Sequence, residues 1–496
     1  MLRKWMAKGK SSNERENLQQ EEKKYFSSNI NDNILFIQHS LVHTEDLIIH
    51  EVFEKGSLLF IESLVDLEKI SDQVLTRTMG SEDEIICDKK IVNLYDATSL
   101  LLDGYCLFVP EGKTFAAAFY TIAIEKRTIQ EPISEKVLRG SHDGFIESLE
   151  TNIKLVRRSI KNPKLLVRYM TLGERSRTKI AIIYIEDLMN NDIVNELFRR
   201  LSYVKVDYIQ SPGSIQEFIE DEAFSPFPQM LNTERPDRVV SNLMEGRFAI
   251  FSEGSPTAII APINFFAFLQ SPDDYNNRWV IGSFITLFRL LSITIAIGLP
   301  ALYIAVVSFH YEVIPFELVF ALKGTLEYVP VVPIVEALSM LIILELLSEA
   351  ATRLPSPIAQ TIGVVGGLVI GTAVVEANLV SNSMIVVVAL TAVASYAIPV
   401  TEMGTTIRLM GFPLMIGASL FGFIGIVIGL MIILVHLCKL ESFGTPYFSP
   451  LAPLKLSENK STIVRLPIWK LIKRPTSTRP KDIVRTGNPR GWKRNE

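Results

Sequence analysis

The sequence predicts an α/β duplicated cytoplasmic N-terminal region joined to an α-helical multi-pass membrane domain, and three observations predict it. First, residues 279–440 carry five basic and eight acidic side chains, and the runs 290–309, 354–375, 377–401 and 409–438 contain no Asp, Glu, Lys or Arg. About 20 helical residues cross a hydrocarbon core, so four such runs in succession exceed the needs of a soluble core. Second, the front half repeats itself. LLDGYCLFVPEG (101–112) and LMEGRFAIFSEG (243–254) share a Leu, an acid, a Gly, an apolar run and a closing Glu-Gly, while SLLFIESLVDLEKI (57–70) parallels AIIYIEDLMNNDIV (181–194). Third, the net charge of −4 hides an asymmetry: the membrane block holds −3 and residues 441–496 hold +8, leaving −9 on residues 1–278.

Residues 1–33 are rich in Glu, Lys, Asn, Ser and Gln and are expected to form a disordered polar arm, having too few apolar residues to fold alone. No apolar run follows the basic start, so no secretory signal is read and the front region is expected on the cytoplasmic side. The first α/β module is assigned to 34–138 and the second, with a basic helical linker, to 139–278. In each, a β-branched and aromatic run (58–62; 180–185) precedes a stretch with apolar residues at three- and four-residue spacing (66–78; 192–201). A hairpin follows, turning at Glu111-Gly112 or Glu253-Gly254, where glycine supplies positive φ.

In the linker, Arg157, Arg158, Lys161, Lys164 and Arg168 alternate with Ile153, Leu155, Val156 and Ile160, which reads as an amphipathic helix with a solvated basic face. No recognition fold or aromatic platform accompanies the charge, so nucleic acid is not an expected partner; a subunit or the membrane surface is. The six histidines are scattered, and HExxH, GxSxG and P-loop patterns are missing. Cys87, Cys106 and Cys438 are widely spaced and read as small apolar side chains. No enzyme activity, cofactor or metal is expected.

Within the transmembrane domain, 279–440, the run Trp279–Phe309 should cross once with a kink or break at Pro300. The stretch 315–328 carries Glu317, Lys323 and Glu327 and is too polar to face lipid, so it is expected at the interface. Residues 331–353 hold three intramembrane acids. Glu345, Glu349 and Arg353 share one helical face, with Glu349 paired to Arg353, whereas Glu336 and Glu345 lack a neutralising neighbour at helical spacing. Glu336 and Glu345 are therefore candidates for lining a hydrated path, and the excess of acids favours cations. Gly363, Gly367 and Gly371 form a small-residue face on the next helix, 357–375. Close packing there would turn Val364, Leu368 and Thr372 towards a central axis, with Val364 and Val365 as a constriction that gates by dewetting. The basic tail, 441–496, should stay cytoplasmic within reach of anionic lipid. Two cytoplasmic ends require an even number of crossings, met by four plus non-spanning helices or by six.

The blocks RGSHDGFIESLETN (139–152), YIEDL (184–188), SPFPQMLNTERPDRV (225–239), GRFAIFSEGSP (246–256), FLQSPDDY (268–275), RLPSPIAQTIGVVGGLVIG (353–371) and SFGTPYFSPLAP (442–453) resemble, in order, the A subunit of the GerA-type spore germination receptors, within the GerA/SpoVAF superfamily. The resemblance implies a subunit of a nutrient germinant receptor in the inner spore membrane of an endospore-forming bacterium. It further implies a transporter-like B subunit and a C-subunit lipoprotein as partners, and a homo-oligomeric ring forming a nutrient-gated ion channel that triggers germination. Glu253 stands where relatives usually carry Asp, and Leu341 where many carry an acid, which removes one intramembrane charge at that level. Three other readings remain: an auxiliary SpoVAF-type germination channel subunit, a cation-coupled secondary transporter with Glu336 and Glu345 as the ion site, and a nonconducting scaffold or sensor whose membrane acids stay dry. Transporters show repeats in the membrane half, whereas here the visible repeat is in the front half.

Overall fold

The computed structural model describes residues 24–496 apart from 53–54, 76–86, 124–130, 133–134, 136, 138, 327–328, 355–366, 368, 370, 456–461, 463, 488, 491 and 493–496. The front half builds two five-stranded antiparallel sheets of identical topology. The first comprises β1 (Leu47–Val52), β2 (Gly56–Ile61), β3 (Lys89–Ile91), β4 (Tyr105–Pro110) and β5 (Ala116–Tyr120), ordered β1-β2-β4-β5-β3. The second comprises β6 (Leu165–Leu172), β7 (Thr178–Ile185), β8 (Leu231–Thr233), β9 (Phe248–Ser252) and β10 (Ala258–Ala261), ordered β6-β7-β9-β10-β8.

The two sequence repeats therefore mark the same structural positions. Each Glu-Gly closes the hairpin of the penultimate pair, β4–β5 or β9–β10, with Gly112 at φ +71° and Gly254 at φ +81°. A side chain at either would be strained by the backbone rather than by crowding, since nothing lies within 4 Å of an added Cβ. Strand β2 is buried along its whole length because both faces are covered. Leu59 and Ile61 meet helices α1 (Ile30–Ser40) and α2 (Leu94–Leu102), and Leu58 and Phe60 face the opposite core with Phe108 and Phe119. In the second module, α3 (Leu149–Ser159) and α6 (Pro236–Leu243) cover one face, while α4 (Asn191–Ser202) and α5 (Pro212–Ile219) cover the other.

Two expectations need correction here. The polar arm was placed at 1–33, and 1–23 lie outside the described residues, but 24–33 are built into the first module. Phe26 is buried, Tyr25 bridges to Asn93, and Asn29 caps α1, so the arm is shorter by the residues with apolar anchors. Arg157 is not on a solvated face. It is 1% exposed and paired with Asp46, 0% exposed, at 2.5 Å through Nε and 2.6 Å through Nη2. Thr44 donates to the same carboxylate at 2.6 Å, and Lys161 reaches Asp103, so α3 ties the second module to the first.

The membrane half contains α7 (Trp279–Phe309), α8 (Phe316–Leu326), α9 (Pro333–Arg353), α10 (Asn382–Tyr396), α11 (Thr401–Phe421) and α12 (Phe423–Lys439). Helix α7 runs through Pro300 without a break in the helix, and at 1.5 Å per residue is about 46 Å long. Among the described residues, two helices, α7 and α11, are long and apolar enough to cross a membrane; α10 and α12 are shorter and apolar. The apolar run 409–438 is not one pass. Gly422, at φ +59°, ends α11 and turns the chain into α12. The two limbs then pack backbone to backbone, because a Cβ on Gly425 would lie 1.9 Å from the Gly417 carbonyl oxygen.

The bundle has a module end and a far end. Thr406 in α11 and His436 in α12 both bond to the second module, whereas the Gly422 turn meets His310 at the far end of α7, where His310 stacks on Phe423. Tyr303, near that end of α7, bonds Ser381 and Ser383 at the start of α10, and Tyr396 at the end of α10 bonds Ser348 of α9. Helices α9, α10 and α12 thus run from the far end to the module end, and α7 and α11 the other way. The tail returns to the second module: Arg474 donates to the Met244 carbonyl, Thr478 to that of Glu245 and Lys481 to that of Glu186.

Candidate functional site

The three acids expected within the membrane, Glu336, Glu345 and Glu349, have three different environments. Glu336 sits in the first turn of α9, fully buried, and one of its oxygens accepts from the Ser381 N–H at the start of α10. Helix N-termini favour negative charge, and the Ser381 hydroxyl at the same point caps the Met384 N–H at 3.2 Å. The other Glu336 oxygen has no hydrogen-bond partner among the described residues. A buried carboxylate satisfied on one side is held by the helix terminus yet keeps capacity for a proton, a cation or water.

Glu345 does have a neutralising neighbour, on another helix. Arg408 of α11 donates to it through Nε at 3.0 Å and Nη2 at 3.2 Å, a forked pair within the bundle. Glu349 pairs with Arg353 at 2.5 Å as the four-residue spacing predicts, with both side chains more than half exposed.

Of the gate and packing candidates, Gly363, Val364, Val365 and Leu368 lie outside the described residues. Gly367 and Gly371 are helical, and no described heavy atom comes within 4 Å of a Cβ built on either. Val369 between them is 55% exposed, and Thr372 is exposed, donating to the Val369 carbonyl at 3.2 Å. The glycine face therefore has no packing partner within one chain among the described residues.

At the module end, the loop 225–229 clamps the bundle. Thr406 donates to the Pro226 carbonyl at 2.7 Å, Tyr447 to that of Pro228 at 2.8 Å and Ser442 to that of Gln229 at 2.8 Å, while the Ser225 hydroxyl meets His436 Nε2 at 2.8 Å. The rings of Phe265, Phe266 and Phe448 pack with centroids 5.3–5.6 Å apart, merging the core of the second module with that of the bundle. Asp274 both caps its short helix and pairs with Arg289 of α7. Next to the loop, Glu220 is pushed up to about 7 by burial, and then by the carboxylates of Glu217, Glu402 and Asp221. Sequence reasoning missed this clamp, although it singled out the SPFPQ block that forms it. Glu253 supplies a side-chain role as well, accepting from the Leu149 N–H at the start of α3 at 3.3 Å.

Fold and site together define a membrane protein in which a duplicated α/β unit is bonded to the end of a helical bundle holding buried and ion-paired carboxylates. The chain belongs to the Bacillus/Clostridium GerA spore germination protein family, whose profile matches residues 35–477. It is a germination receptor A subunit, and the family is not one of enzymes. It is 36% identical over 477 residues to spore germination protein B1 of Bacillus subtilis (strain 168), covering 92% of this chain and 99% of that protein. To the uncharacterized membrane protein YfkQ of the same organism it is 37% identical, covering 85% of each. The crystal structure of the N-terminal domain of the A subunit of the Bacillus megaterium spore germinant receptor GerK3 aligns with 28% identity and a TM-score of 0.38, covering 49% of this chain and 98% of that one.

Proposed function

We propose that this A subunit assembles into a homo-oligomeric ring, with B and C receptor subunits as partners, and forms a nutrient-gated cation channel in the inner spore membrane. The observation that carries this reading is the outward glycine face. No described heavy atom lies within 4 Å of a Cβ built on Gly367 or Gly371, and small residues at four-residue spacing are where membrane helices approach closely. A second copy supplies the missing surface, and closed cyclic symmetry satisfies it in every copy.

The helix order supports a topology with both ends on the cytoplasmic side. Helix α9 ends at the module end and α10 starts at the far end, which supports one further pass between them. Together with α7, α9, α10, α11 and α12 this makes six passes, with α8 peripheral. The segment that makes the return holds Val364 and Val365, which we place at the constriction, with Leu368 and Thr372 on the same path. Glu336 provides an acidic position deeper in each subunit. Signals from partner subunits would reach the bundle through the 225–229 clamp on α11 and α12.

Replacing Gly367 with Leu in spores tests the ring. Loss of higher oligomers on cross-linking, together with loss of nutrient-triggered germination, is expected. Normal germination with monomers alone in the wild-type membrane would rule the ring out.

A further inference from the structure

A cavity of about 780 Å³ lies between α6, the tail and the segment 264–276 that leads into α7. Its walls carry Arg238, Arg247, Arg465, Arg474 and Arg485 with Lys470 and Lys473, against two acids, Asp237 and Glu245. Both acids are already engaged, Asp237 by Arg235 at 2.8 Å and Glu245 by Arg247 at 3.2 Å. Arg238 pairs with Glu135 and Arg474 with Asp482, whereas Arg465, Lys470 and Lys473 have no acidic partner among the described residues.

Three of the lining side chains are nine-tenths or more buried and keep a polar atom without a partner among the described residues: Arg247 Nε, Arg465 Nε and Ser449 Oγ. A buried donor without an acceptor is costly, and here three of them border one positively charged space. The other guanidinium nitrogens of Arg465 are fixed by the carbonyls of Asn277 at 2.6 Å and Tyr275 at 2.8 Å, so its free edge is held in place. Burial also lowers the pKa of Arg247 and Arg465, the direction expected of cations whose charge is under-compensated.

We propose that this cavity binds a phosphate-bearing anion. Guanidinium groups match phosphate oxygens in forked pairs, and the volume is that of a small-molecule site rather than a single ion. Its position points to the bilayer surface. Arg465 packs on Gly282 in the first turn of α7, where an added Cβ would lie 2.8 Å from Arg465 Cδ, and the neighbouring Trp279 is 43% exposed at the start of that helix. Tryptophan at the end of a membrane helix marks the headgroup level. The phosphate can accordingly come from a phospholipid headgroup or from free phosphate in the aqueous phase. Binding would fasten the tail to the second module and to α7 at once.

The test uses the full-length chain purified with its partner subunits. Native mass spectrometry after reconstitution in phosphatidylglycerol or phosphatidylcholine nanodiscs reads lipid retention, and thermal shift with inorganic phosphate against chloride at equal ionic strength reads the free anion. Selective retention of phosphatidylglycerol, weakened about tenfold in Arg465→Gln, supports the site with a lipid source. Stabilisation by phosphate over chloride that Arg465→Gln abolishes, without lipid preference, supports it with a soluble source. The exposed pair Lys470→Gln/Lys473→Gln, which leaves the buried contacts intact, should weaken either signal and serves if Arg465→Gln does not fold. No preference for either ligand, or a preference that these variants leave unchanged, overturns the proposal.

Discussion

Changing Asp46 to Asn should loosen the two α/β modules from each other by a large and specific amount. Asp46 is the sole acid bonded to Arg157 among the described residues, and neither side chain has more than 1% exposure. Removing the charge leaves a guanidinium in a dry site with a neutral acceptor, and breaking a buried pair on one side costs about 3–5 kcal/mol. For a folded unit of 150–250 residues each kcal/mol corresponds to about 2–4 °C, so the soluble transition should fall by roughly 6–20 °C. Arg157 Nη1 has no partner among the described residues even in the intact pair, so the desolvation of this ion pair is incompletely offset. The double variant Asp46→Leu/Arg157→Met should for that reason recover most of the loss, as apolar replacements of buried pairs often do. Calorimetry on the purified full-length protein measures Asp46→Asn together with wild type, Asp46→Leu, Arg157→Met and their double variant, the four members of the cycle. A drop below about 2 °C for Asp46→Asn, or a double variant as unstable as the sum of the singles, would refute the reasoning.

Three further outcomes follow from the site. Glu345→Ala should strand Arg408 in the bundle, costing about 2 kcal/mol and lowering membrane abundance, while the swap Glu345→Arg/Arg408→Glu should restore it; immunoblots of the membrane fraction read both. Glu220 has a folded-state pKa raised from 4.5 to about 7, so the folded state holds the proton more tightly. Its contribution is complete below pH 4.5 and is lost as pH rises through about 7, and Glu220→Gln should flatten the unfolding temperature across that window relative to wild type. Partial exposure screens the effect, so the difference should be shallow; a wild-type profile that rises with pH relative to the variant would contradict the assignment. Gly371→Leu should resemble Gly367→Leu in cross-linking, since both sit on the same helical face.

Local chemistry was legible in the sequence and distant pairing was not. The repeated Leu-acid-Gly blocks located the β4–β5 and β9–β10 hairpins because turn glycines and alternating apolar residues act over a few positions. Glu349 and Arg353 were found because a helix brings residues four apart together. Arg157 looked solvated because its partner is 111 residues away, and Glu345 looked unpaired because Arg408 is 63 residues away. The run 409–438 read as one span since hydropathy does not register that one glycine, Gly422, reverses the chain. The tail's positive charge was legible, but not that Arg465 and Arg474 donate to the carbonyls of Tyr275, Asn277 and Met244 in the neighbouring fold. The order of the edge strands β3 and β8, each added beyond the hairpin, left no short-range trace.

The central claim is that the bundle conducts ions through a constriction made by several copies of the 354–381 segment. Single-channel recording from the purified receptor complex in planar bilayers tests it most directly. The account predicts discrete unitary currents that require nutrient, a nutrient-independent leak in Val364→Ala, and reduced conductance in Val365→Phe. Because removing buried methyl groups can cost about 1 kcal/mol, the comparison is made at equal membrane abundance. Electrically silent bilayers with saturable cation exchange, or wild-type currents in both valine variants, would contradict it.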